Sequence, residues 1–228
     1  MKCLWCGNQI KEELTLKQLL SWQKIEASHC CQRCHSLFTK IIRRSACPFC
    51  GKGEQKRSCQ ECQIWQVAYG DIFNGNESLF HYDQGMKEWF QKYKFQGDQR
   101  LAQMFRQELQ YFFKDKPGAL IIPVPLSPKR LAKRGFNQVE MLLAAGEIPF
   151  EKLLLKKSET VEQTTKNREE RLQTAQPFCL AQGGKQLIHN RKVILVDDVY
   201  TTGRTIFHGV ACLKEAVPLS ITSVTLAR

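Results

Sequence analysis

Four Cys-x2-Cys pairs, Cys3/Cys6, Cys31/Cys34, Cys47/Cys50 and Cys59/Cys62, fall within the first 62 residues of this 228-residue chain. Such a pair turns two thiolates toward one point, and two pairs complete the four-sulfur tetrahedron that zinc adopts in structural sites. Four pairs therefore imply two zinc ions. Sequential pairing is the simplest arrangement, with Cys3, Cys6, Cys31 and Cys34 on one ion and Cys47, Cys50, Cys59 and Cys62 on the other; an interleaved set is the alternative. When thiolates fill all four positions none is open, so these ions read as scaffolds and not as catalysts. Disulfides are the rival reading, and they belong to secreted chains. Cys31-Gln32-Arg33-Cys34-His35 also matches the string that attaches c-type haem, but the other three pairs lack the following His. Cys30 is read as a bystander and His35 as a surface residue.

The apolar fraction of 43% and the charged fraction of 25% are those of a globular chain with a packed core. No apolar run approaches the roughly 18–20 residues of a membrane helix, and MKCLWCGNQIKEE carries no apolar signal core. The expectation is a cytoplasmic protein with no membrane insertion, in which Asn76-Glu77-Ser78 is no glycosylation site. A net charge of +12 is distributed unevenly. Lys and Arg outnumber Asp and Glu by eleven to five over residues 1–65 and by sixteen to ten over 119–228, and balance at seven each over 66–118. Phosphates are the expected partners, on a small ligand or along a nucleic acid.

Beyond the cysteines, WQVAYGDIF and SLFHY flank Asn74-Gly75-Asn76-Glu77, which predicts a hairpin with a tight Asn-Gly turn. Amphipathic helices follow at about 83–95 and 98–115, broken at Gly97, with their aromatics in the core. The remainder alternates: strand ALIIPV, helix 128–146, strand 152–155, polar segment 156–175, strands 177–181 and 192–197, helix 204–217, strand 220–226. Alternation of this kind predicts a parallel sheet flanked by crossover helices.

Two stretches carry chemistry. In VILVDDVYTTGRT, Val193–Thr205, an apolar run reads as a strand buried on both faces, followed by two acids and a Thr/Gly loop that opens a helix. Ligands sit at that edge of parallel sheets, and such a loop offers amides and hydroxyls to a phosphate. In PVPLSPKRLAKRGFNQ, Ser127 and Pro128 start a helix that places Lys129, Arg130, Lys133 and Arg134 on one side of its first turns. Cations near a helix N-terminus oppose the macrodipole, so an anion is expected to compensate.

VILVDDVYTTGRT resembles the phosphoribosyl pyrophosphate (PRPP) signature of type I phosphoribosyltransferases: apolar residues, two acids, two variable positions, then Thr-Thr-Gly-x-Thr. Arg134-Gly135-Phe136-Asn137-Gln138 after the PVPL loop, Lys94-Phe95-Gln96-Gly97-Asp98 and the paired knuckles resemble the ComF family of competence proteins, which has a member acting in DNA uptake during natural transformation. One segment departs from the family pattern T-x-x-Q-x-x-L…R-x-x-N: Thr160, Gln163 and Arg171 fit, but Lys166 and Thr174 replace the Leu and the Asn. The resemblance implies a double zinc-ribbon domain over residues 1–65 and a phosphoribosyltransferase-like domain over 66–228.

For the site, the resemblance implies Asp197 and Asp198 at the ribose hydroxyls and Thr201, Thr202, Gly203, Arg204 and Thr205 around the 5′-phosphate. Lys129, Arg130 and Arg134 would serve the pyrophosphate, and Mg²⁺ would accompany PRPP because two adjacent carboxylates repel a bare polyphosphate. Residues 156–175 would form a closing loop. Two functions follow. One is a competence protein that handles single-stranded DNA with a ComFA-like helicase or ATPase partner; the other is an active phosphoribosyltransferase of salvage or of DNA or base modification. For DNA contact the zinc region offers Arg43, Arg44, Lys56 and Arg57 near Phe38, Phe49 and Trp65. Those rings are equally expected to pin the ribbons together.

Overall fold

The computed structural model describes residues 1–10, 20, 28–53, 57–157 and 176–228. Along the chain come helices α1 (Gln32–His35) and α2 (Gln60–Tyr69), strand β1 (Phe73–Phe80), helices α3 (Gln84–Phe90) and α4 (Arg106–Lys114), and strand β2 (Leu120–Pro123). Helices α5 (Pro128–Arg134) and α6 (Gln138–Ala145) follow, then strands β3 (Leu154–Lys156) and β4 (Phe178–Leu180), helix α7 (Gly184–Ile188), strand β5 (Lys192–Val199), helix α8 (Arg204–Lys214) and strand β6 (Ser220–Ala227).

Strands β1, β6, β5 and β2 form, in that order, a four-stranded sheet in which every pairing is parallel. The expected parallel sheet flanked by helices is present. The apolar run of β5 is buried because successive side chains enter opposite cores: Ile194 and Val196 face the α3–α6 side, Val193 and Leu195 the α8 side. Burial of each such side chain contributes roughly 2 kcal/mol.

Three expectations are corrected, and one helix is added. The hairpin at Asn74–Glu77 does not form: WQVAY lies in α2, and Asn74–Glu77 runs straight through β1 with a register irregularity between Phe73 and Asn76. The Asn-Gly signal serves a bulge. Gly75 has φ +104°, and a Cβ there would lie 2.7 Å from the Phe49 carbonyl oxygen. Secondly, the helix at 128–146 is two helices, because Gly135 adopts φ 80° and caps α5 before Asn137 starts α6. Thirdly, β3 and β4 pair antiparallel with each other as a separate two-stranded unit, outside the parallel sheet. Finally, α7 had no clear signal in the sequence. Of the expected closing loop, residues 158–175 lie outside the described residues, as does Lys56.

Both cysteine modules merge with the cores of the sheet. Cys3, Cys30, Cys34 and Phe38 pack in one core with Phe80, Trp89 and Phe105, while Cys47, Phe49, Cys50, Cys59 and Cys62 pack in the other with Phe73 and Phe207.

Candidate functional site

Each cysteine group is built alike. The first pair sits in a tight turn closed by an amide bond back to the first cysteine, Gly7 N–H to the Cys3 carbonyl at 2.9 Å and Gly51 N–H to the Cys47 carbonyl at 2.8 Å. The second pair opens a helix, with Cys31 capping α1 and Cys59 capping α2. The four sulfurs of Cys3, Cys6, Cys31 and Cys34 lie within 4.8 Å of one another, and so do those of Cys47, Cys50, Cys59 and Cys62. Sequential pairing is therefore the arrangement the fold makes. A tetrahedron with metal–sulfur bonds of about 2.3 Å has sulfur–sulfur edges of about 3.8 Å. Cys6 and Cys31 sulfurs lie 3.9 Å apart and those of Cys50 and Cys59 3.8 Å, so both groups fit a zinc ion. Backbone amides add second contacts, Cys31 N–H to Cys3 Sγ at 3.4 Å and Cys59 N–H to Cys47 Sγ at 3.3 Å. Cys30 and His35 stand outside the groups. His35, expected at the surface, is half-buried with Nε2 2.7 Å from Glu108 Oε1.

At the carboxyl end of β5 a cleft of ≈ 700 Å³ opens against the loop after β2, the start of α8 and the second cysteine module. Asp197 and Asp198 lie in it, 9% and 7% exposed. Burial pushes the Asp197 carboxyl up to about 8, and the neighbouring Asp198 adds to the rise. Asp197 Oδ1 accepts the Asp198 N–H at 2.8 Å. Asp198 Oδ2 accepts from Lys94 Nζ at 2.8 Å and from Gln138 Nε2 at 2.5 Å, and Gln138 Oε1 accepts from Arg134 at 2.5 Å. A chain of charge-assisted bonds thus joins Lys94, Asp198, Gln138 and Arg134.

Local structure explains how these groups meet. The helix begun by α3 continues as a π-helical turn over Gln91–Phe95, and this widened turn carries Lys94. Tyr93, fully buried, donates to the Gln138 carbonyl at 2.8 Å and ties that turn to α6. The left-handed Gly135 turns the chain so that Asn137 caps α6 and Gln138, its first residue, is buried beside Asp198.

The Thr/Gly loop leads into α8. Gly203 has φ 78°, and a Cβ on it would lie 2.4 Å from the Tyr200 hydroxyl and 2.7 Å from the Phe207 ring, so both backbone and space demand glycine. Thr201 and Thr205 line the cleft, Thr202 Oγ1 accepts the Arg204 N–H at 3.4 Å, and Arg204 is exposed at the first position of α8. Of the three cations assigned to pyrophosphate, Arg130 and Arg134 line the cleft; Lys129 is exposed and is not among the lining residues.

Sequence reasoning did not place Lys52, Lys94, Lys156 or Arg228 in this site, yet all four line it. Only Lys94 had a signal, in the KFQGD stretch. With Arg130 and Arg134 they bring six cations against Glu61, Asp197 and Asp198, a balance that favours an anionic ligand.

Around the cysteine modules, Arg43 pairs with Glu77 at 2.6 Å, and Arg44 and Arg57 are exposed. The neighbouring rings are structural: Phe38 and Phe49 are buried, and Trp65 stacks on Phe207 with centroids 3.8 Å apart. Among the described residues no helix is long and apolar enough to cross a membrane.

No family model matches the chain. Among solved structures it resembles the glutamine PRPP amidotransferase of B. subtilis complexed with ADP and GMP, at 20% identity over 54% of this chain and 26% of that one with a TM-score of 0.34. A hypoxanthine phosphoribosyltransferase from Staphylococcus aureus resembles it at 16% identity, over 56% and 63% of the two chains, with a TM-score of 0.32. Full-length similarity carries more. The chain is 38% identical over 228 residues, the whole of both proteins, to competence protein ComFC of Streptococcus pneumoniae (strain ATCC BAA-255 / R6). It is 30% identical over 234 residues, 99% of this chain and 94% of the relative, to competence protein ComFC of Bacillus subtilis (strain 168). Matched from end to end by two proteins of one kind, the chain belongs to the ComFC family of competence proteins.

Proposed function

We propose that the protein works in natural transformation on incoming single-stranded DNA, and that its cleft binds PRPP or a related phosphorylated sugar with Mg²⁺. The observation that carries the ligand reading is the juxtaposition of the acid pair at the end of β5 with the Thr201–Thr205 loop, in a cleft lined by six cations. Asp197 and Asp198 offer acceptors to ribose hydroxyls, while the loop and the first-turn amides of α8 suit a phosphate. Lys94 and Gln138 engage Asp198, and among the described residues the only gathered metal-ligand groups are the two cysteine tetrads. Mg²⁺ would therefore arrive on the oxygens of its ligand and keep part of its water, as this ion prefers. Arg130 and Arg134, with Lys129 nearby in sequence, would take the pyrophosphate.

The reading includes a double zinc ribbon over about residues 1–65 joined to a phosphoribosyltransferase-like domain, a cytoplasmic location, and an ATP-driven ComFA-like partner. Calorimetric titration with Mg²⁺ and PRPP tests the ligand. Binding is expected for the wild type and its loss in the Asp197→Asn, Asp198→Asn double variant with the fold retained; equal affinity in both would refute the assigned roles. Release of pyrophosphate with a DNA or base acceptor would establish the alternative, an active phosphoribosyltransferase.

For DNA, the expected signature is a log–log salt slope of roughly −0.7 per phosphate neutralised. Neutral replacement of Arg43, Arg44, Lys56 and Arg57 should weaken DNA binding and flatten that slope without touching PRPP affinity. Since Phe38, Phe49 and Trp65 are packed inward, the contact expected there is with the backbone and not by base stacking. Wild-type DNA affinity in that variant would move the role of the ribbons to partner docking.

A further inference from the structure

The two cysteine modules are not equivalent toward the cleft. Lys52, Gly53 and Glu61 of the second module line it, and no residue of the first tetrad is among the lining residues. Helix α2 is capped by Cys59, carries Cys62, and presents Trp65 flat against Phe207, with centroids 3.8 Å apart and planes 10° from parallel. Phe207 lies in the first turn of α8, its N–H bonded to the Gly203 carbonyl at 2.9 Å. The loop is thus clamped from one side by a ring that α2 supports.

Arg228 holds the other side. Its guanidinium lies 4.5 Å over the Tyr200 ring, Nη1 donates to the Thr201 carbonyl at 3.5 Å, and Nη2 is 3.8 Å from the carboxylate of Glu61, which stands between Cys59 and Cys62. The Arg228 side chain is 8% exposed, and its Nε is buried without a hydrogen-bond partner, so the side chain is kept there by its other contacts. Tyr200 and Phe207 share one buried core with all four cysteines of the second group. Charge points the same way. Zinc with four thiolates carries a net charge of −2, which would oppose a phosphate nearby; a buried guanidinium beside both the tetrad helix and the loop offsets that field.

We propose that the second cysteine module supports the phosphate loop: metal at Cys47, Cys50, Cys59 and Cys62 fixes Trp65 and Arg228, and these two positioning residues hold Thr201–Thr205 in its anion-binding shape. The mechanical link stands on the contacts above; the nature of the anion rests on the function proposed for the cleft.

Hydrogen exchange on the full chain, zinc-loaded, tests the link separately from the ligand. Arg228→Gln and Trp65→Leu are each expected to speed amide exchange across residues 199–207 roughly tenfold while zinc content stays at the wild-type value. Removing zinc from the wild type with a chelator should do the same. In parallel, the Kd for inorganic phosphate and for Mg²⁺ with PRPP should rise about tenfold in both variants, a change of about 1.4 kcal/mol in binding. Arg228→Lys keeps the charge but cannot span Thr201, Tyr200 and Glu61 together, and should recover only part of the affinity. Unchanged exchange over 199–207 in zinc-replete Arg228→Gln would overturn the proposal, and that variant decides if Trp65→Leu loses its metal. Faster exchange in a protein whose wild type binds neither phosphate nor PRPP would uphold the link and remove the phosphate reading instead.

Discussion

Lys94 and Asp198 meet at 2.8 Å with side chains 14% and 11% exposed, a pairing in which neither charge is well solvated and each depends on the other. Beside it, burial and the neighbouring Asp198 push the Asp197 carboxyl up to about 8, and the charges of Lys94 and Lys156 offset the rise only in part. The sign of the consequence follows from linkage. An unfolded aspartate loses its proton near pH ~4, whereas folded Asp197 keeps it until about 8, so the folded state binds more protons across that window and stability falls as pH rises through it. Asp197→Asn should therefore gain stability relative to the wild type between those values, with a constant gain above them. Ligand binding runs the opposite way: if the carboxylate form serves the ribose, affinity for Mg²⁺ with PRPP should climb as pH rises from 6.5 to 8.5. Flat affinity over that range would remove Asp197 from the ligand contacts.

At the scale of elements, the site depends on where helices stop. Asn137 is the joint. Its side chain accepts from the Val139 N–H at 2.9 Å and the Glu140 N–H at 3.4 Å, and donates to the Val124 carbonyl at 3.2 Å, so one residue caps α6 and pins it to the loop after β2. Asn137→Ala is expected to cost about 1–2 kcal/mol in denaturant unfolding and to weaken ligand binding through displacement of Gln138. Retained stability with full affinity would show that the elbow holds without its cap. Strand β1 illustrates the same dependence differently. Gly75 is left-handed and Asn76 N–H donates to the Phe49 carbonyl at 2.6 Å, while the Asn76 side chain bonds Ser78, Thr225 and Ser223 inside the sheet. A turn signal has become the contact between a cysteine module and a parallel strand.

For the whole molecule, the cysteine modules are walls of the two cores, and metal loss should be felt beyond residue 65. Freshly purified protein is expected to carry close to two zinc ions per chain, and Cys47→Ser to lower zinc content and thermal stability together. Fewer than one zinc per chain in freshly prepared protein would refute the scaffold role of the tetrads. What the sequence determined by itself was local: four thiolate pairs at fixed spacing, the buried strand ending in Asp197-Asp198, the Thr/Gly loop, the cap at Ser127-Pro128. Each is encoded within a few residues, because spacing sets thiolate geometry and apolar run length sets burial. Tertiary structure decided the rest. It brought Lys94, Lys52, Lys156 and Arg228 to the cleft, spent Trp65 on Phe207 instead of on a nucleobase, and kept β3 and β4 out of the parallel sheet. Apart from the KFQGD stretch around Lys94, none of these could be read along the chain, since each is fixed by which side chains fill space between elements distant in sequence, and no local pattern specifies its partner.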